Sequence, residues 1–145
     1  MKKSTKFIIA LLVTVGALAI TYRVVNQAPS KDLAADAQMQ EIITSGGCLQ
    51  CHSGSPDLPF YANWPVASGM VQKDITQGYR AFDMTEMAEA LKAGKPVGKV
   101  ALAKVEKVIM DGTMPKHAYY MVHWGSSVTD AKKEMAMAWV KQHRL

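Results

Sequence analysis

The sequence predicts an all-α protein, in which one small helical domain follows an apolar N-terminal helix. Apolar residues recur at helical spacing in several segments whose ends carry residues typical of helix caps. No stretch between these segments alternates apolar and polar residues as a half-buried strand would. Together the two observations favour a helical domain without a sheet.

The N-terminus combines a basic start with an apolar run. Lysines precede an uncharged segment over residues 7–20, which is the pattern of an export signal. Ala17-Leu18-Ala19 has the small-x-small form of a cleavage site, yet the run continues to Arg23, near the lower limit for a membrane-spanning helix. Residues 1–26 are therefore predicted to be a signal peptide or a membrane anchor with a short linker, and the rest of the chain is predicted to cross the membrane.

Residues 27–145 are predicted to form one helical domain. Ser30 can cap a helix over about residues 32–45, in which Leu33, Ala37 and Ile42 or Ile43 form the buried face. Between residues 53 and 79 the proline, glycine and aromatic content predicts an ordered loop. Further helices are predicted over residues 85–93, 99–110 and 129–142, with Val100, Val105, Val108 and Ile109 on the apolar face of the second and Ala131, Met135, Ala138 and Trp139 on that of the third.

Both cysteines of the chain belong to one motif, Cys48-Leu49-Gln50-Cys51-His52. This C-x-x-C-H pattern is typical of a c-type haem attachment site. Thiols three residues apart on a helical turn face the same side, so each can bond one vinyl group while the imidazole of His52 binds the iron. Because the motif occurs once, we expect one haem c per chain. A domain of this size can bury only a small core, and a covalently attached haem adds a large apolar surface on which side chains pack. The motif therefore predicts a cytochrome c-like helical fold wrapped on the haem.

Three other uses of paired cysteines are weaker interpretations. A redox dithiol normally follows the first strand of a βαβ unit, and no such strand is predicted before Cys48. A zinc site usually needs a second cysteine pair, which the chain lacks. A disulfide across so short a step closes too small a loop to stabilise much.

The ligand on the other side of the iron distinguishes electron transfer from reactivity. Met114 is the predicted distal ligand, because in Asp111-Gly112-Thr113-Met114-Pro115 a helix that ends at glycine is followed by a stiff, extended Met-Pro segment. A His/Met pair fits an electron carrier, since the soft sulfur favours Fe(II). His117, Met121 and His123, or an open position, are the alternatives.

Aromatic residues in the loops are interpreted as haem-packing or core residues rather than catalytic ones. This group contains Tyr61, Trp64, Tyr119 and Trp124. Arg80, or a tyrosine hydroxyl, is a candidate for hydrogen bonding to a haem propionate, which would tune the redox potential.

The charge of the chain does not indicate a nucleic-acid partner. The formal net charge is +5, from 17 basic and 12 acidic residues. Four of the basic residues, Lys2, Lys3, Lys6 and Arg23, lie in the N-terminal segment, so 13 basic and 12 acidic residues remain beyond it. No basic stripe is interleaved with aromatic residues, and binding to nucleic acid is therefore excluded as the predicted function.

Several motifs occur together between about Ile42 and the C-terminus. They are C-L-Q-C-H-S at 48–53, L-P-F-Y-A-N at 58–63, Pro65-Val66, Gly78-Tyr79-Arg80 with Phe82 and Thr85, Met114-Pro115 followed by Tyr119-Tyr120 and His123, and Trp139. In this combination the chain resembles the bacterial haem-binding domain family, which occurs as small c-type cytochromes and as an added domain of some cytochrome c peroxidases.

The resemblance implies roles for individual residues. It implies Cys48 and Cys51 as attachment points, His52 as proximal ligand and Met114 as distal ligand. It also implies that Pro59, Tyr61 and Tyr119 border the haem. The chain departs from the family pattern at Trp124, which follows His123 where the family tends to have proline.

The sequence therefore predicts a monohaem c-type cytochrome that carries single electrons on the periplasmic side of a bacterial inner membrane, and not an enzyme. Its partner would be another cytochrome, a peroxidase or an oxidase, with the inner membrane as a further contact if the N-terminal helix is uncleaved. The alternatives are a haem domain that serves a cytochrome c peroxidase, and a ligand sensor with an open distal site. A peroxidase needs a distal acid-base pair, and no His/Arg pair lies next to Met114.

Overall fold

The computed structural model describes residues 3–144, and within them it contains helices and connecting segments but no strand. Met1, Lys2 and Leu145 lie outside the described residues, so part of the basic start does too. The predicted all-α fold with an apolar N-terminal helix is confirmed. The helices are α1 (Lys3–Val25), α2 (Ala35–Ser45), α3 (Cys48–His52), α4 (Ser68–Ala81), α5 (Thr85–Lys92), α6 (Lys99–Asp111), α7 (His117–Val122) and α8 (Asp130–His143), with a 3-10 turn at Trp124–Ser126.

The N-terminal helix α1 is exposed along its whole described length. Two of its three threonines bond within the helix, because the hydroxyls of Thr14 and Thr21 donate to the carbonyls of Ala10 and Ala17. Among the described residues, α1 is the one helix long and apolar enough to cross a membrane. A cleaved export signal meets the same criterion of length and composition, so the segment is compatible both with a signal peptide and with a membrane anchor.

The core of the domain lies where α2, α5, α6 and α8 meet. Trp139 of α8 is buried against α2, and its indole nitrogen donates to a carboxylate oxygen of Asp36 at 2.7 Å. The same carboxylate lies 2.9 Å from Nε2 of His143, whose ring lies against Trp139 at a centroid distance of 4.5 Å and an interplanar angle of 34°. The core residues are Met39, Ile42, Ile43, Met84, Met87, Leu91, Val97, Leu102, Val105, Ala136, Trp139 and Val140.

The predicted helices are present with small shifts at their ends. Helix α2 begins at Ala35 rather than near residue 32, because the hydroxyl of Ser30 accepts from the amide of Asp32 in a turn before the helix. The prediction that Leu33 lies on the buried face of this helix is wrong, since Leu33 precedes the helix and is exposed. Thr129 caps α8 as predicted, accepting from the amide of Lys132. Gly112 adopts the left-handed conformation and ends α6.

The predicted buried faces of α6 and α8 are partly wrong. In α6 Val100 is exposed, whereas Leu102 is fully buried. In α8 Ala131 and Ala138 are exposed, and Lys132 lies in the interior with only 1% of its surface accessible. Its ammonium donates to the Ser45 hydroxyl at 3.3 Å and the Ser127 carbonyl at 3.2 Å, and burial lowers the pKa of this lysine. A hydrophobic pattern does not detect a buried cation satisfied by distant residues.

The predicted loop over residues 53–79 is also partly wrong, since α4 occupies its second half. The prolines of this region, Pro56, Pro59 and Pro65, all precede residue 66, and nothing after them breaks a helix except two glycines. Only the first part of the region, up to Ala67, consists of turns and irregular chain.

A glycine allows α4 to lie directly on α3. A Cβ atom added at Gly78 would lie 2.5 Å from the carbonyl oxygen of Cys51 and 3.0 Å from its Cβ. Such distances are below any van der Waals contact, so a side chain here would force the two helices apart. Gly78 therefore sets the distance between α4 and the helix that carries both cysteines.

We expect Gly78→Ala to destabilise the protein by about 1–3 kcal/mol, because the added methyl group meets backbone atoms that cannot turn away. Gly69→Ala is the matched control, since it lies on the same helix and a Cβ there meets nothing within 4 Å. The measurement is the free energy of unfolding in urea for both variants and the wild type. Equal stabilities of the two variants would contradict the packing role of Gly78.

Candidate functional site

Helix α3 presents both cysteines and ends at His52. It is five residues long and begins after Gly47, whose φ of 66° turns the chain sharply from α2 into α3. Cys48 and Cys51 are free thiols, half-buried and one helical turn apart, so they share a face. The predicted helical turn of the motif is therefore present.

The environment of the thiols argues against a redox dithiol. Burial raises the pKa of the Cys48 thiol to about 11, and burial together with the Asp74 carboxylate raises the pKa of Cys51. Reactive dithiols have the opposite property, a lowered thiol pKa. Within residues 3–144 no group of three or more histidine, cysteine and carboxylate side chains converges as a metal site would require, which also disfavours zinc.

The ring of His52 is held in one orientation by the segment after α4. Its Nδ1 lies 2.8 Å from the carbonyl oxygen of Phe82, which can only accept, so Nδ1 carries the proton. The backbone is fixed as well, because the amide of Met84 donates to the carbonyl of His52 at 2.7 Å. This leaves Nε2 unprotonated and available to a metal ion, in the arrangement usual for metal-binding histidines. This role of the Phe82 carbonyl was not predicted, because a backbone carbonyl 30 positions away leaves no mark in the residue pattern.

A cleft beside α3 brings together the residues predicted to pack on a haem. Pro59, Tyr61 and Tyr119 line it together with Cys51, although they come from three separate segments of the chain. Helix α4 supplies the opposite wall, with Asp74 and its neighbours Val71 and Ile75. The contribution of α4 was missed from the sequence because this helix itself was not predicted.

One edge of the cleft is a hydrogen-bonded aromatic cluster of Tyr61, Tyr119 and His123. The rings of Tyr119 and His123 stack at 4.0 Å, and the Tyr119 hydroxyl donates to Oε1 of Gln50 at 2.6 Å. Nδ1 of His123 donates to the Tyr119 carbonyl at 3.0 Å, so its Nε2 accepts from the Tyr61 hydroxyl at 2.8 Å. Burial raises the pKa of Tyr119 to about 12, which keeps its hydroxyl protonated. Both ring nitrogens of His123 are thus engaged.

Met114 and Arg80 do not line the cleft directly. Met114 is half-buried, and two residues after it the ammonium of Lys116 bonds to Asp74 in the wall of the cleft at 2.6 Å. That ion pair joins the Met114 segment to α4. Arg80 is exposed near the end of α4, and its role toward a propionate stays a prediction. Of the alternative ligands, His117 and Met121 are exposed.

The residues of the site fit a covalently held haem. Two thiols lie on one face of a short helix, and the neighbouring imidazole has a free nitrogen. Cys51 lines the aromatic and aliphatic cleft, whereas Cys48 and His52 are not among its lining residues. These are the donors and the surroundings that C-x-x-C-H attachment requires.

Comparisons with known proteins agree with haem binding. A family model described as a haem-binding domain matches residues 7–142. Over 98 residues, or 68% of this chain, the sequence is 37% identical to the cytochrome c peroxidase Ccp of Escherichia coli (strain K12). The matched part is 21% of that protein, so the chain spans about a fifth of the length of this curated relative. No solved structure matches the chain.

We expect Gly47→Ala to reduce the yield of protein with bound haem, because a Cβ at position 47 would collide with the Tyr119 ring, 2.8 Å from its Cζ. Gly94→Ala is the matched control, since Gly94 has a similar φ of 62° but open space around it. Both variants bear the backbone strain of about 1–2 kcal/mol, and only the first displaces Tyr119. The readout is haem absorbance per mole of protein, and an equal loss in both variants would refute the role of Tyr119.

Proposed function

Because the chain belongs to the haem-binding domain family, we propose that it is a monohaem c-type cytochrome that carries single electrons on the periplasmic side of a bacterial inner membrane. One observation supports this most strongly. His52 is oriented by the Phe82 carbonyl at the end of a helix whose two thiols share a face, beside an aromatic cleft.

In this proposal Cys48 and Cys51 form thioethers to one haem, and Nε2 of His52 is the proximal ligand. The hydrogen bond from Nδ1 to the Phe82 carbonyl fixes the tautomer and raises the basicity of the other nitrogen. A ligand held in this way keeps its position in both oxidation states, which limits the reorganisation that accompanies electron transfer.

Met114 is the proposed distal ligand. The ion pair between Lys116 and Asp74 supports this, because it ties the Met114 segment to the wall of the cleft. His123 is the weaker candidate, since Tyr61 and the Tyr119 carbonyl already occupy its two ring nitrogens. A thioether ligand would favour the reduced iron and raise the potential.

When bound, the haem supplies an iron centre that accepts and releases one electron. The chain contributes the surroundings: Pro59, Tyr61 and Tyr119 pack on one side and exclude water, and Asp74 and Lys116 neutralise each other at the rim. A redox partner, such as another cytochrome, a peroxidase or an oxidase, would dock transiently on the exposed edge of this cleft.

A second candidate function follows from the similarity to a peroxidase. Since this chain matches a fifth of that longer protein, we propose as the alternative that it is a haem domain that delivers electrons to a peroxidase. The two functions share the same ligands and differ in the partner.

The first experiment is an absorption spectrum of protein matured with the haem-attachment machinery, oxidised and then reduced, with and without carbon monoxide. A low-spin spectrum with the weak sulfur-to-iron band, unchanged by carbon monoxide, supports the carrier. A high-spin spectrum that shifts at once with carbon monoxide refutes it and supports the ligand sensor with an open distal site. Reoxidation by a purified peroxidase domain then separates a free carrier from a peroxidase-linked one.

We expect Met114→Ala to keep the haem attached, lower the midpoint potential and admit carbon monoxide, because the thioether no longer blocks the distal side. Met121→Ala is the control, since that methionine is exposed in the same region. The readouts are the midpoint potential and the carbon monoxide difference spectrum. An unchanged spectrum of Met114→Ala would identify another distal ligand.

Single replacement of either cysteine by alanine should leave one thioether, and the replacement of both should leave no covalent haem. The alkaline pyridine spectrum of the denatured protein reports how many vinyl groups remain free. A spectrum typical of two thioethers in either single variant would contradict the attachment at Cys48 and Cys51.

A further inference from the structure

The end of α1 is bound to the haem-binding domain through Asn26. This residue is only 3% exposed, although the helix that leads to it is exposed throughout. Its amide nitrogen donates to the carbonyls of Tyr22 at 2.9 Å and Trp124 at 2.5 Å, and its oxygen accepts from the amide of Ser127 at 2.9 Å. The hydrogen-bonding capacity of its two N–H groups is used in full.

The last turn of α1 makes further contacts with the same segment. The hydroxyls of Tyr22 and Ser127 lie 2.8 Å apart, and the ring of Tyr22 meets that of Trp124 edge to face. We call Asn26 together with residues 124–127 the latch.

We propose that α1 is retained as a membrane anchor and that the latch holds the haem-binding domain in one fixed orientation on the lipid surface. Cleavage after Ala19 would leave the exposed apolar side chains of Ile20, Val24 and Val25 in water. The matched family region begins at residue 7, within α1, so the helix is part of the unit that the family shares.

The length of α1 places the latch at the membrane surface. The whole helix of 23 residues rises about 34 Å, and its uncharged stretch from Phe7 to Tyr22 rises about 24 Å, so Lys6 and Arg23 lie toward the two faces of a hydrocarbon core of roughly 30 Å. Its C-terminal turn, with Tyr22 and the adjoining Trp124, lies in the interfacial layer that tyrosine and tryptophan prefer. Met121 and Val122, which shortly precede Trp124 in the chain, are also exposed.

The latch is also connected to the cleft. The amide and the hydroxyl of Ser126 both donate to the carbonyl of His123, at 2.9 and 2.7 Å. The ring of His123 in turn bonds to Tyr61 and stacks on Tyr119 in the edge of the cleft. A fixed latch therefore fixes the cleft, and with it the haem plane, relative to the membrane.

This inference rests on the proposed haem attachment and export. Its test distinguishes a failure of the orientation proposal from a failure of the proposed function. The full-length protein, matured with haem in the bacterial membrane, is extracted and its intact mass is measured. It is then returned to oriented lipid multilayers, where linear dichroism of the haem absorption bands reports the angle of the haem plane. The ordinary absorption spectrum of the same sample reports the ligands of the iron, independently of orientation.

We expect the uncleaved mass and a strong dichroism for the wild type. Asn26→Ala should lose the dichroism while its absorption spectrum stays unchanged, because the domain then turns freely on its linker. Gln27→Ala, at the exposed neighbouring position, is the matched control and should keep it. An insertion of Gly-Ser between Gln27 and Ala28 lengthens the linker without touching the latch, and it should keep the dichroism as well.

Two results would overturn the proposal. One is a mass that corresponds to removal of the helix, and the other is dichroism that survives Asn26→Ala but disappears with the insertion. The second result would mean that the linker, rather than the latch, sets the orientation. If the wild type does not show the expected low-spin absorption spectrum, that result contradicts the electron-carrier proposal and leaves the latch proposal to the mass and the dichroism.

Discussion

The contact between α4 and α3 is the constraint on which the rest of the site depends. Because Gly78 has no side chain, α4 lies against the carbonyl of Cys51, and the chain that leaves α4 then reaches His52 with the carbonyl of Phe82. The same helix supplies the wall of the cleft that carries Asp74. One close helix contact thus sets the orientation of the imidazole, the width of the cleft and the position of the ion pair with Lys116.

The site is divided between two kinds of support. On the side of the cysteines, the positions of the thiols and of His52 are determined by backbone packing, because α3 lies between α2 and α4 and contacts both. On the opposite side, positions follow from side-chain hydrogen bonds among Tyr61, Tyr119, His123 and Gln50. A polar network of this kind is specific only when each member is satisfied, and no buried side-chain nitrogen or oxygen among the described residues lacks a partner. The aromatic side is therefore as well defined as the backbone side.

The sequence predicted the local parts of this structure better than the tertiary parts. The C-x-x-C-H turn was predictable because its chemistry depends on spacing within one helical turn, and α5, α6 and α8 were predictable from caps and periodicity. The convergence of Pro59, Tyr61 and Tyr119 came from the family resemblance. Helix α4 was not predicted, since three prolines earlier in the region dominated its composition. Lys132 and Asn26 were not predicted either, because the partners that make their burial favourable lie far away in the sequence.

The pairing of the first and last helices of the domain bears on the order in which the chain matures. Asp36 and Trp139, which join α2 to α8, are separated by 103 positions, so the core closes only after α8 is available. Contacts at such long range form slowly, since a large loop must close before they contribute. Under the proposed export, the chain would emerge from its N-terminal end and would expose Cys48 and Cys51 well before α8. During that interval the two thiols, which are half-buried in the finished domain, would be open to the proposed haem attachment, and folding would then enclose the haem.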